Sequence, residues 1–241
     1  MIQLSLVIPC YNESGNLPKL FERVAALRKA LPAAEVILVD NGSTDKSPEA
    51  FARLQAETRD ALVKTVRVEK NQGYGFGILS GLKAAQGEYL AWTHADLQTD
   101  LVDAARALEK ALSAPDPKRV LVKGNRRKRN AFDSFFTWGM SAISSFALGT
   151  VVSDVNAQPK LFHRAFYDTF SDAPWDFSLD LYVLYRARRA GMEVAAIPVY
   201  FADRQHGESK GGGTLKGKIK LIKRTFAYIF KLKAQLRGQP A

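Results

Sequence analysis

The first half of this chain alternates between short buried strands and amphipathic helices, and no other sequence feature constrains its fold as much. Each strand is predicted from a short apolar run between turn-forming residues, and each helix from apolar residues at steps of three and four. The predicted strands are residues 4–9, 36–39, 65–68 and 89–93, and helices are predicted at residues 15–30, from 47 onward and at 77–85. Such alternation is typical of a mostly parallel sheet with helices on both faces.

The second half is less regular, but it still contains strand and helix signals. Residues 120–123 and 194–200 are predicted strands, and residues 177–190 are a predicted helix that Gly191 ends. The apolar stretch 132–152 is long enough to span a bilayer, but glycines and small polar residues dilute its hydrophobicity. We therefore expect one or two helices there, packed on the domain or on a membrane surface.

An aspartate follows the fourth predicted strand, in the run His94-Ala95-Asp96-Leu97-Gln98. In open α/β sheets ligands bind beyond the carboxyl ends of the strands, so we expect Asp96 to lie in a binding site. A carboxylate with a glutamine two residues later can bind a divalent cation that bridges a diphosphate. Taken alone, Asp96 or Thr99 could equally be the N-cap of a helix that begins near Leu101.

Four segments, taken in chain order, resemble the motifs of the family 2 glycosyltransferases of the GT-A fold. They are Val7-Ile8-Pro9-Cys10-Tyr11-Asn12-Glu13, Val39-Asp40-Asn41-Gly42-Ser43-Thr44-Asp45, Asn71-Gln72-Gly73-Tyr74-Gly75 and His94-Ala95-Asp96-Leu97-Gln98. The resemblance covers residues 4–210 and is close to the branch that includes the dolichyl- and undecaprenyl-phosphate sugar synthases. It implies an α/β fold of the GT-A type, with a Rossmann-like, mostly parallel central sheet flanked by helices. It also implies an enzyme that transfers a sugar with inversion from a nucleotide-sugar.

The resemblance implies a nucleotide-sugar site beyond the strand ends. An aromatic ring such as Tyr11 can cover a nucleobase, and a carboxylate such as Asp40 can accept hydrogen bonds from ribose or base groups. Two cations, Arg204 and Lys210, would neutralise charge on the leaving diphosphate. Without the resemblance, the tyrosine would be read as a packing residue and the cations as solvated surface groups. The expected set is Pro9, Tyr11, Asn12, Glu13, Asp40, Lys70, Gly73, Asp96, Arg204 and Lys210.

The expected metal site departs from the family pattern. The family usually has Asp-x-Asp where this chain has His94-Ala95-Asp96, so His94 replaces the first acid. The ligands expected for a divalent cation, Mg²⁺ or Mn²⁺, are Asp96, Gln98 and His94. Imidazole suits Mn²⁺ better than Mg²⁺. Asn41 stands where many relatives have an aspartate, and the two departures leave open a nucleotide-sugar-binding protein with impaired catalysis.

The acceptor decides whether a catalytic base is needed. A lipid phosphate is already ionised at neutral pH, whereas a saccharide hydroxyl must give its proton to a carboxylate. Asp154 and Asp180 are the candidate bases and complete a catalytic set with Asp96, although Asp180 could instead lie on a solvated helix face. The resemblance implies an acceptor site formed by Arg126, Asn156, Gln158 and Lys160. We expect a polyprenyl-phosphate acceptor, with a glycan of surface-polysaccharide assembly as the alternative.

Positive charge is concentrated in two segments of a chain whose formal net charge is +11. Residues 118–129 hold seven Lys or Arg and residues 209–241 hold nine, with no acidic residue in either segment. Such patches suit phosphate groups, nucleic acid or an anionic membrane. We expect no nucleic acid, because the aromatic residues do not share an exposed face with the basic ones.

The segment 211–241 is expected to form a basic amphipathic unit after the glycosyltransferase domain at 1–210. Its apolar residues recur at helical steps, which is typical of a helix lying in a membrane interface, although the same stripe could pack on the domain. The stripe is Leu215, Ile219, Ile222, Phe226, Ile229 and Phe230. A single cysteine and the lack of a signal-peptide pattern favour a peripheral protein on the cytoplasmic face of the membrane. The oligomeric state is not predicted.

Overall fold

A computed structural model describes residues 2–127, 154–200, 202, 223 and 226–230 of the chain, and its described part is built on a seven-stranded sheet. The strands are β1 (Leu4–Cys10), β2 (Ala34–Asn41), β3 (Val63–Val68), β4 (Tyr89–Trp92), β5 (Val120–Arg127), β6 (Lys160–His163) and β7 (Glu193–Tyr200). Their order across the sheet is β3-β2-β1-β4-β6-β5-β7. All neighbouring pairs are parallel except those of β6, which runs antiparallel to both β4 and β5. The predicted mostly parallel sheet is therefore confirmed.

Helices cover both faces of the sheet, as the alternation predicts. They are α1 (Leu17–Ala30), α2 (Ser47–Thr58), α3 (Tyr74–Ala84), α4 (Asp103–Leu112), α5 (Arg164–Tyr167) and α6 (Leu179–Arg189), with a 3-10 helix at Pro117–Arg119. Apolar residues of α1, α2 and α4 form one core with one face of the sheet. Those of α3 and α6 form a second core with the other face. Removing so much apolar surface from water is the main stabilising contribution to the fold.

Most predicted elements are present with shifted ends, and one strand was missed. Helix α3 begins at Tyr74 rather than at Gly77, and α4 begins at Asp103 rather than near Leu101. The four residues of β6 were read only as part of an acceptor segment, and they form a fully buried strand instead. A strand this short, covered on both faces, shows no alternation that periodicity could detect.

The described part of the C-terminal segment packs against the domain. Residues 226–230 are helical, and Tyr228 and Ile229 are buried in the same core as α3 and α6. Burial raises the pKa of the Tyr228 hydroxyl well above its ordinary value. Phe230, at the end of this helical turn, is exposed. Of the predicted stripe, Ile229 therefore packs on the domain and Phe230 does not, while Leu215, Ile219, Ile222 and the stretch 132–152 lie outside the described residues.

No helix within the described ranges has both the length and the apolar composition needed to cross a membrane.

Candidate active site

Three buried polar atoms without a partner among the described residues lie at one edge of the sheet. They are Asp40 Oδ2, Asn41 Oδ1 and Gln158 Oε1. Asp40 and Asn41 end β2, and Gln158 lies just before β6, whose antiparallel direction brings its start to the edge where β4 ends. Buried polar groups are normally hydrogen-bonded, so the unsatisfied oxygens of Asp40 and Gln158 indicate a candidate ligand site at this edge. The Asn41 amide lies against Gly77 of α3 instead. The edge thus holds Asp40 from the expected donor set and Gln158 from the expected acceptor set.

The loops that follow β1 and β2 are joined by hydrogen bonds, and this joins the two motifs into one surface. The Asn12 backbone N–H donates to Ser43 Oγ at 3.0 Å, and its side-chain oxygen accepts from the Thr44 N–H at 2.8 Å. The Glu13 N–H donates to Ser47 Oγ at 3.0 Å. The Asn12 side chain, which was expected to bind the nucleotide, therefore holds the second loop in place. The Asn12 backbone is in the left-handed conformation, with φ 56°.

Asp45 strengthens the same loop junction. Its carboxylate accepts from the backbone N–H groups of Ser14 and Ser47, at 3.3 and 3.0 Å. Burial alone would raise the pKa of Asp45, but the hydrogen bonds from Ser47 and Ser14 outweigh burial and lower it. The charged form is therefore the one that stabilises the junction.

Asp40 has the geometry expected of a nucleoside contact. The side chain is only 4% exposed, and Oδ1 accepts from the Ser43 N–H at 2.9 Å. This bond is typical of an aspartate that starts a turn, and it occupies only one oxygen, so Oδ2 stays available to a ligand. Pro9, Tyr11 and Glu13 are half-buried around the same edge, whereas Lys70 is exposed.

Gly73 and Gly75, at the start of α3, allow a close approach of backbone from another segment of this protein. Gly73 has φ 126°, and a Cβ built there would lie 2.3 Å from the Trp175 carbonyl oxygen. A Cβ on Gly75 would lie 2.4 Å from the Pro174 oxygen. The segment 174–176 therefore rests on the start of α3, and the Phe76 N–H donates to the Trp175 oxygen at 3.0 Å. A nucleotide contact at Gly73 stays a prediction.

Asp96 is not a helix cap. The N-cap position of α4 is Val102, and no side chain caps that helix. Asp96 Oδ1 instead accepts from the Gln98 N–H at 3.2 Å across Leu97, whose φ is 62°. Thr99, the other candidate cap, pairs with Thr93 at 3.2 Å. The alternative reading of Asp96 and Thr99 is thus wrong, and the tight turn presents Asp96 at the end of β4.

The residues around Asp96 fit a cation that is shared with a substrate diphosphate rather than one enclosed by protein. No group of three or more His, Cys, Asp or Glu that could hold a metal occurs among the described residues. Mg²⁺ is commonly bound by one or two carboxylates with substrate phosphate oxygens and water completing the shell. Asp96 can supply that carboxylate, while the Gln98 amide N–H₂ donates to the Ala202 oxygen at 3.1 Å and so keeps its side chain beside β7.

His94 takes part in a buried chain of hydrogen bonds. Its Nε2 lies 3.0 Å from the Tyr74 hydroxyl, which also accepts from Gln158 Nε2 at 3.2 Å. The same Gln158 nitrogen donates to Asp180 Oδ1 at 2.9 Å. The Tyr74 ring stacks on Phe177 at 4.8 Å. Burial lowers the pKa of His94, despite the opposing charges of Asp96 and Asp180, so the imidazole is neutral at pH 7.

Asp154, one of the two candidate bases, is paired with Arg126. Its oxygens accept from Arg126 Nε at 3.0 and 3.3 Å, from the Arg126 backbone N–H at 3.2 Å, and from Nη2. Burial raises the pKa of Asp154, but the guanidinium outweighs burial and holds it below its ordinary value. A carboxylate with a lowered pKa is a weak proton acceptor. Asn156, two residues later, is half-buried beside this pair.

Asp180, the other candidate base, lies in the core rather than on a solvated helix face. It is 1% exposed, and Oδ1 accepts from Trp92 Nε1 at 3.2 Å and lies 3.3 Å from Lys160 Nζ. The solvated-face alternative is therefore wrong. Every residue from Leu179 to Tyr185 is buried, so the first two turns of α6 show no amphipathic pattern.

Lys160 is fully buried and is satisfied by protein oxygens. Besides Asp180, its ammonium donates to the Val155 and Ala157 carbonyl oxygens at 2.7 Å each. Burial lowers its pKa, and Asp180 opposes that effect. In this arrangement Lys160 orders the segment before β6 and neutralises Asp180. Its predicted contact with an acceptor phosphate stays a prediction, and the expected Arg204 and Lys210 lie outside the described residues.

Lys123 is a buried cation that the sequence analysis did not single out. It lies directly opposite Lys160 in the β5–β6 register and is 5% exposed. Within the described ranges it donates only to the Gly124 oxygen, at 3.3 Å. Burial lowers its pKa to about 8, and the Lys160 charge adds to that effect. A lysine at the end of an apolar run reads as the end of a strand, so no sequence signal marked it as buried. Tyr74 and Trp92 were missed likewise, as ordinary core aromatics.

Replacing Lys123 with methionine should raise the stability of the protein at pH 7. In the folded protein the pKa is lower than in the unfolded chain, so the charged lysine opposes folding below about pH 8. The difference amounts to as much as about 3 kcal/mol. Because the folded state releases its proton first, wild-type stability rises between about pH 8 and 10.5 and the advantage of Lys123→Met shrinks there.

Urea unfolding at pH 7 and pH 9.5 measures this advantage. The matched control is Lys29→Met, because Lys29 is exposed and its replacement should change stability by less than about 0.5 kcal/mol. A Lys123→Met variant that is less stable than the wild type at pH 7 would contradict the expectation.

Comparison with known proteins identifies the family of this chain. The model of Glycosyl transferase family 2 matches residues 5–171. The undecaprenyl-phosphate 4-deoxy-4-formamido-L-arabinose transferase of Salmonella paratyphi A is 28% identical over 213 residues, covering 86% of this chain and 62% of that protein. The protein of the same name from Salmonella choleraesuis matches to the same extent. This chain thus spans somewhat less than two thirds of the length of these relatives.

Solved structures share the fold at low sequence identity. Glucosyl-3-phosphoglycerate synthase from Mycobacterium tuberculosis superposes with a TM-score of 0.73 at 16% identity, covering 95% of this chain and 79% of the other. That enzyme has also been solved with Mn²⁺, UDP and its glucosylated product. The mannosyltransferase PcManGT from Pyrobaculum calidifontis, in complex with GDP-Man and Mn²⁺, gives a TM-score of 0.69 at 19% identity, covering 99% of this chain and 65% of the other. The family model matches most of the chain and these structures share its fold, so this chain belongs to glycosyl transferase family 2 and has the GT-A fold.

Proposed function

We propose that this enzyme transfers a sugar, with inversion, from a nucleotide-sugar to a polyprenyl-phosphate acceptor at the cytoplasmic surface of a membrane. The named curated relatives are undecaprenyl-phosphate sugar transferases, which supports a lipid-phosphate acceptor. The structures that share the fold contain UDP or GDP-Man with Mn²⁺, which supports a nucleotide-sugar donor and a divalent cation. The basic C-terminal segment supports the membrane surface, because each cation near an anionic leaflet contributes about 1 kcal/mol.

The observation that carries the acceptor proposal is that both candidate bases, Asp154 and Asp180, are already bound by other side chains. Asp154 is held by the Arg126 guanidinium, and Asp180 accepts from Trp92, Gln158 and Lys160. Neither carboxylate is placed to collect a proton from a hydroxyl nucleophile. A phosphate monoester has a second pKa of about 6, so its oxygen attacks as an anion without a base. The site therefore suits a phosphate better than a saccharide hydroxyl.

The residues at the sheet edge divide the work of the transfer. Asp40 Oδ2 accepts from the base or ribose of the nucleoside, and the joined β1 and β2 loops keep that carboxylate in position. Asp96 would hold a divalent cation, which would supply stabilisation of the negative charge on the departing diphosphate. Arg126 lies on the acceptor side, where its charge orients the attacking phosphate oxygen towards the anomeric carbon. The new bond joins that oxygen to the sugar as the bond to the nucleoside diphosphate breaks.

A transfer assay with a panel of UDP-, GDP- and dTDP-sugars tests the proposal. With undecaprenyl phosphate in mixed micelles and Mn²⁺ or Mg²⁺, one donor should give a polyprenyl-phosphate sugar that mass spectrometry detects. The matched control is undecaprenol, which has the same chain and a hydroxyl in place of the phosphate. Transfer to undecaprenol or to an oligosaccharide, with none to the phosphate, would favour the glycan reading instead.

The variant Asp154→Asn adds a second arm to this assay. Removal of a general base costs about 10²- to 10⁴-fold in rate. The ion pair indicates that Asp154 only orients Arg126. In that case kcat for the phosphate acceptor should fall by less than about tenfold, well below the loss of a general base. A loss of a thousandfold, together with loss of the acidic limb of the pH–rate profile, would instead identify Asp154 as the base.

A further inference from the structure

A chain of hydrogen bonds runs from Asp180 through Gln158 and Tyr74 to His94. The chain determines which atom is the donor at each step, beginning at Asp180. The Asp180 carboxylate accepts from Trp92 Nε1 and from Lys160, so only the amide nitrogen of Gln158, not its oxygen, can face Asp180 Oδ1 at 2.9 Å. An amide nitrogen carries two hydrogens and accepts none. Its second hydrogen lies towards the Tyr74 hydroxyl oxygen, at 3.2 Å.

The Tyr74 hydroxyl therefore accepts from Gln158 and must donate its own proton elsewhere. Trp92 Nε1, the other polar group in reach of this hydroxyl, is also a donor. His94 Nε2, at 3.0 Å, is the one acceptor that the described residues offer to the phenolic proton. If His94 carried a proton on Nε2, two donors would face each other and the phenolic proton of a half-buried tyrosine would be unsatisfied.

It follows that Nε2 of His94 is the acceptor and that its ring proton lies on Nδ1. In a neutral imidazole, the hydrogen bond made by one ring nitrogen decides whether the other nitrogen carries the proton. With its lone pair committed to Tyr74, Nε2 is not available to a cation, and a protonated Nδ1 has no lone pair to offer. No hydrogen bond from His94 Nδ1 is found within the described part of the chain, so this N–H is a donor at the end of β4, two residues before Asp96.

We propose that Tyr74 is a positioning residue that holds His94 as a neutral hydrogen-bond donor, whose Nδ1–H bonds an oxygen of the nucleotide-sugar, while the divalent cation is bound without His94. This proposal rests on the proposed function for the identity of the ligand. It replaces the expectation that His94 substitutes for the missing acid as a metal ligand. It also connects the nucleotide-sugar site with the acceptor side of the fold. The hydrogen-bond chain that orients His94 begins at the Asp180–Lys160 pair beside β6.

The ¹⁵N chemical shifts of the histidine rings test the proton order directly in the ligand-free protein. The chain has three histidines, and the His94 signals are those missing from a His94→Asn sample. The wild type should show the Nδ1–H form. Tyr74→Phe keeps the ring that stacks on Phe177 and removes only the hydroxyl, so His94 should shift towards the Nε2–H form that free imidazole side chains favour. An Nε2–H signal in the wild type would overturn the proposal without any variant.

Kinetics of two His94 variants test the role of the Nδ1–H group. Asparagine places its amide nitrogen near the position of Nδ1, and glutamine places its amide near Nε2. His94→Asn should retain at least tenfold more kcat/KM for the donor than His94→Gln. The Mn²⁺ concentration for half-maximal activity should change by less than threefold in both, because even loss of a residue that supports a metal ligand costs about 10- to 100-fold in affinity. A larger shift in both variants would make His94 a ligand and refute the proposal.

These experiments separate the proposal from the proposed function. If no nucleotide-sugar is turned over or bound, the proposed function fails, while the ¹⁵N result still reports whether Tyr74 orders His94. If transfer occurs but His94 shows the Nε2–H form, the proposed function stands and the positioning role of Tyr74 fails.

Discussion

Asp96→Asn is expected to reduce kcat/KM for sugar transfer by at least about 10²- to 10³-fold, the loss seen when one group that stabilises transition-state charge is removed. The amide removes the carboxylate charge that holds a cation against the diphosphate. It keeps the oxygen that accepts from the Gln98 N–H, so the turn around Leu97 should survive. The loss should therefore appear in activity and in Mn²⁺-dependent nucleotide binding, with little change in unfolding free energy.

Asp100→Asn is the matched control for this prediction. Asp100 lies four residues later, is exposed, and makes the same kind of local bond, to the Val102 N–H at 3.1 Å. The substitution removes an equal charge from the same loop, so it reports any general electrostatic effect. Transfer rates of both variants, measured across a range of Mn²⁺ and Mg²⁺ concentrations, decide the matter. Activity of Asp96→Asn within threefold of wild type would exclude Asp96 as the centre of the donor site.

Asp180→Leu is expected to cost about 3–5 kcal/mol in unfolding free energy, as observed when one partner of a buried ion pair is removed. Lys160 has no exposed surface, and in the variant only the Val155 and Ala157 carbonyl oxygens would face its ammonium. Trp92 and Gln158 would also lose their acceptor. Leucine has the same number of side-chain heavy atoms as aspartate and is somewhat larger, so a cavity is not the cause of the loss. Urea unfolding at pH 7 gives the value.

The double variant Asp180→Leu with Lys160→Met should recover much of this loss. Replacing a buried pair by apolar residues of similar volume is often neutral or stabilising, whereas removing one charge is not. Glu57→Gln is the surface control, because the Arg53–Glu57 pair is well exposed and should contribute less than about 1 kcal/mol. Equal losses in the single and double variants would show that the hydrogen bonds to Trp92 and Gln158, rather than the uncompensated lysine, determine the stability.

The positions of Asp40 and Asp96 in the fold were predictable because their sequence signals are local. Asp40 and Asp96 each follow an apolar run, and the order of residues alone places a carboxylate after a buried strand at the edge of the sheet. The family motifs then gave these positions a chemistry. The same local signals could not show that Asn12 holds the second loop, because its partners Ser43 and Thr44 come from another motif.

The acceptor side was less predictable because its residues meet only through the tertiary structure. Lys160 and Asp180 were assigned to the site, but their mutual pairing joins a short strand to a buried helix. Asp180 was considered a possible surface residue on a solvated helix face. Basic residues do follow it on α6, but its sequence neighbours are apolar and buried. Tyr74 carries no signal beyond aromatic character. Its role depends on the position of the Gln158 amide, which the sequence cannot place.

The position of β6 in the sheet has a consequence for folding during synthesis. Strands β1 to β4 end at Trp92, so all four are synthesised before β6, which begins at Lys160. The row of Trp92, Lys160 and Lys123 closes only when β6 inserts between β4 and β5. Until then, β4 presents an unpaired edge that can recruit other chains. A nascent chain that stops before residue 160 would therefore be an aggregation hazard while the loops after β1 and β2 are already in place.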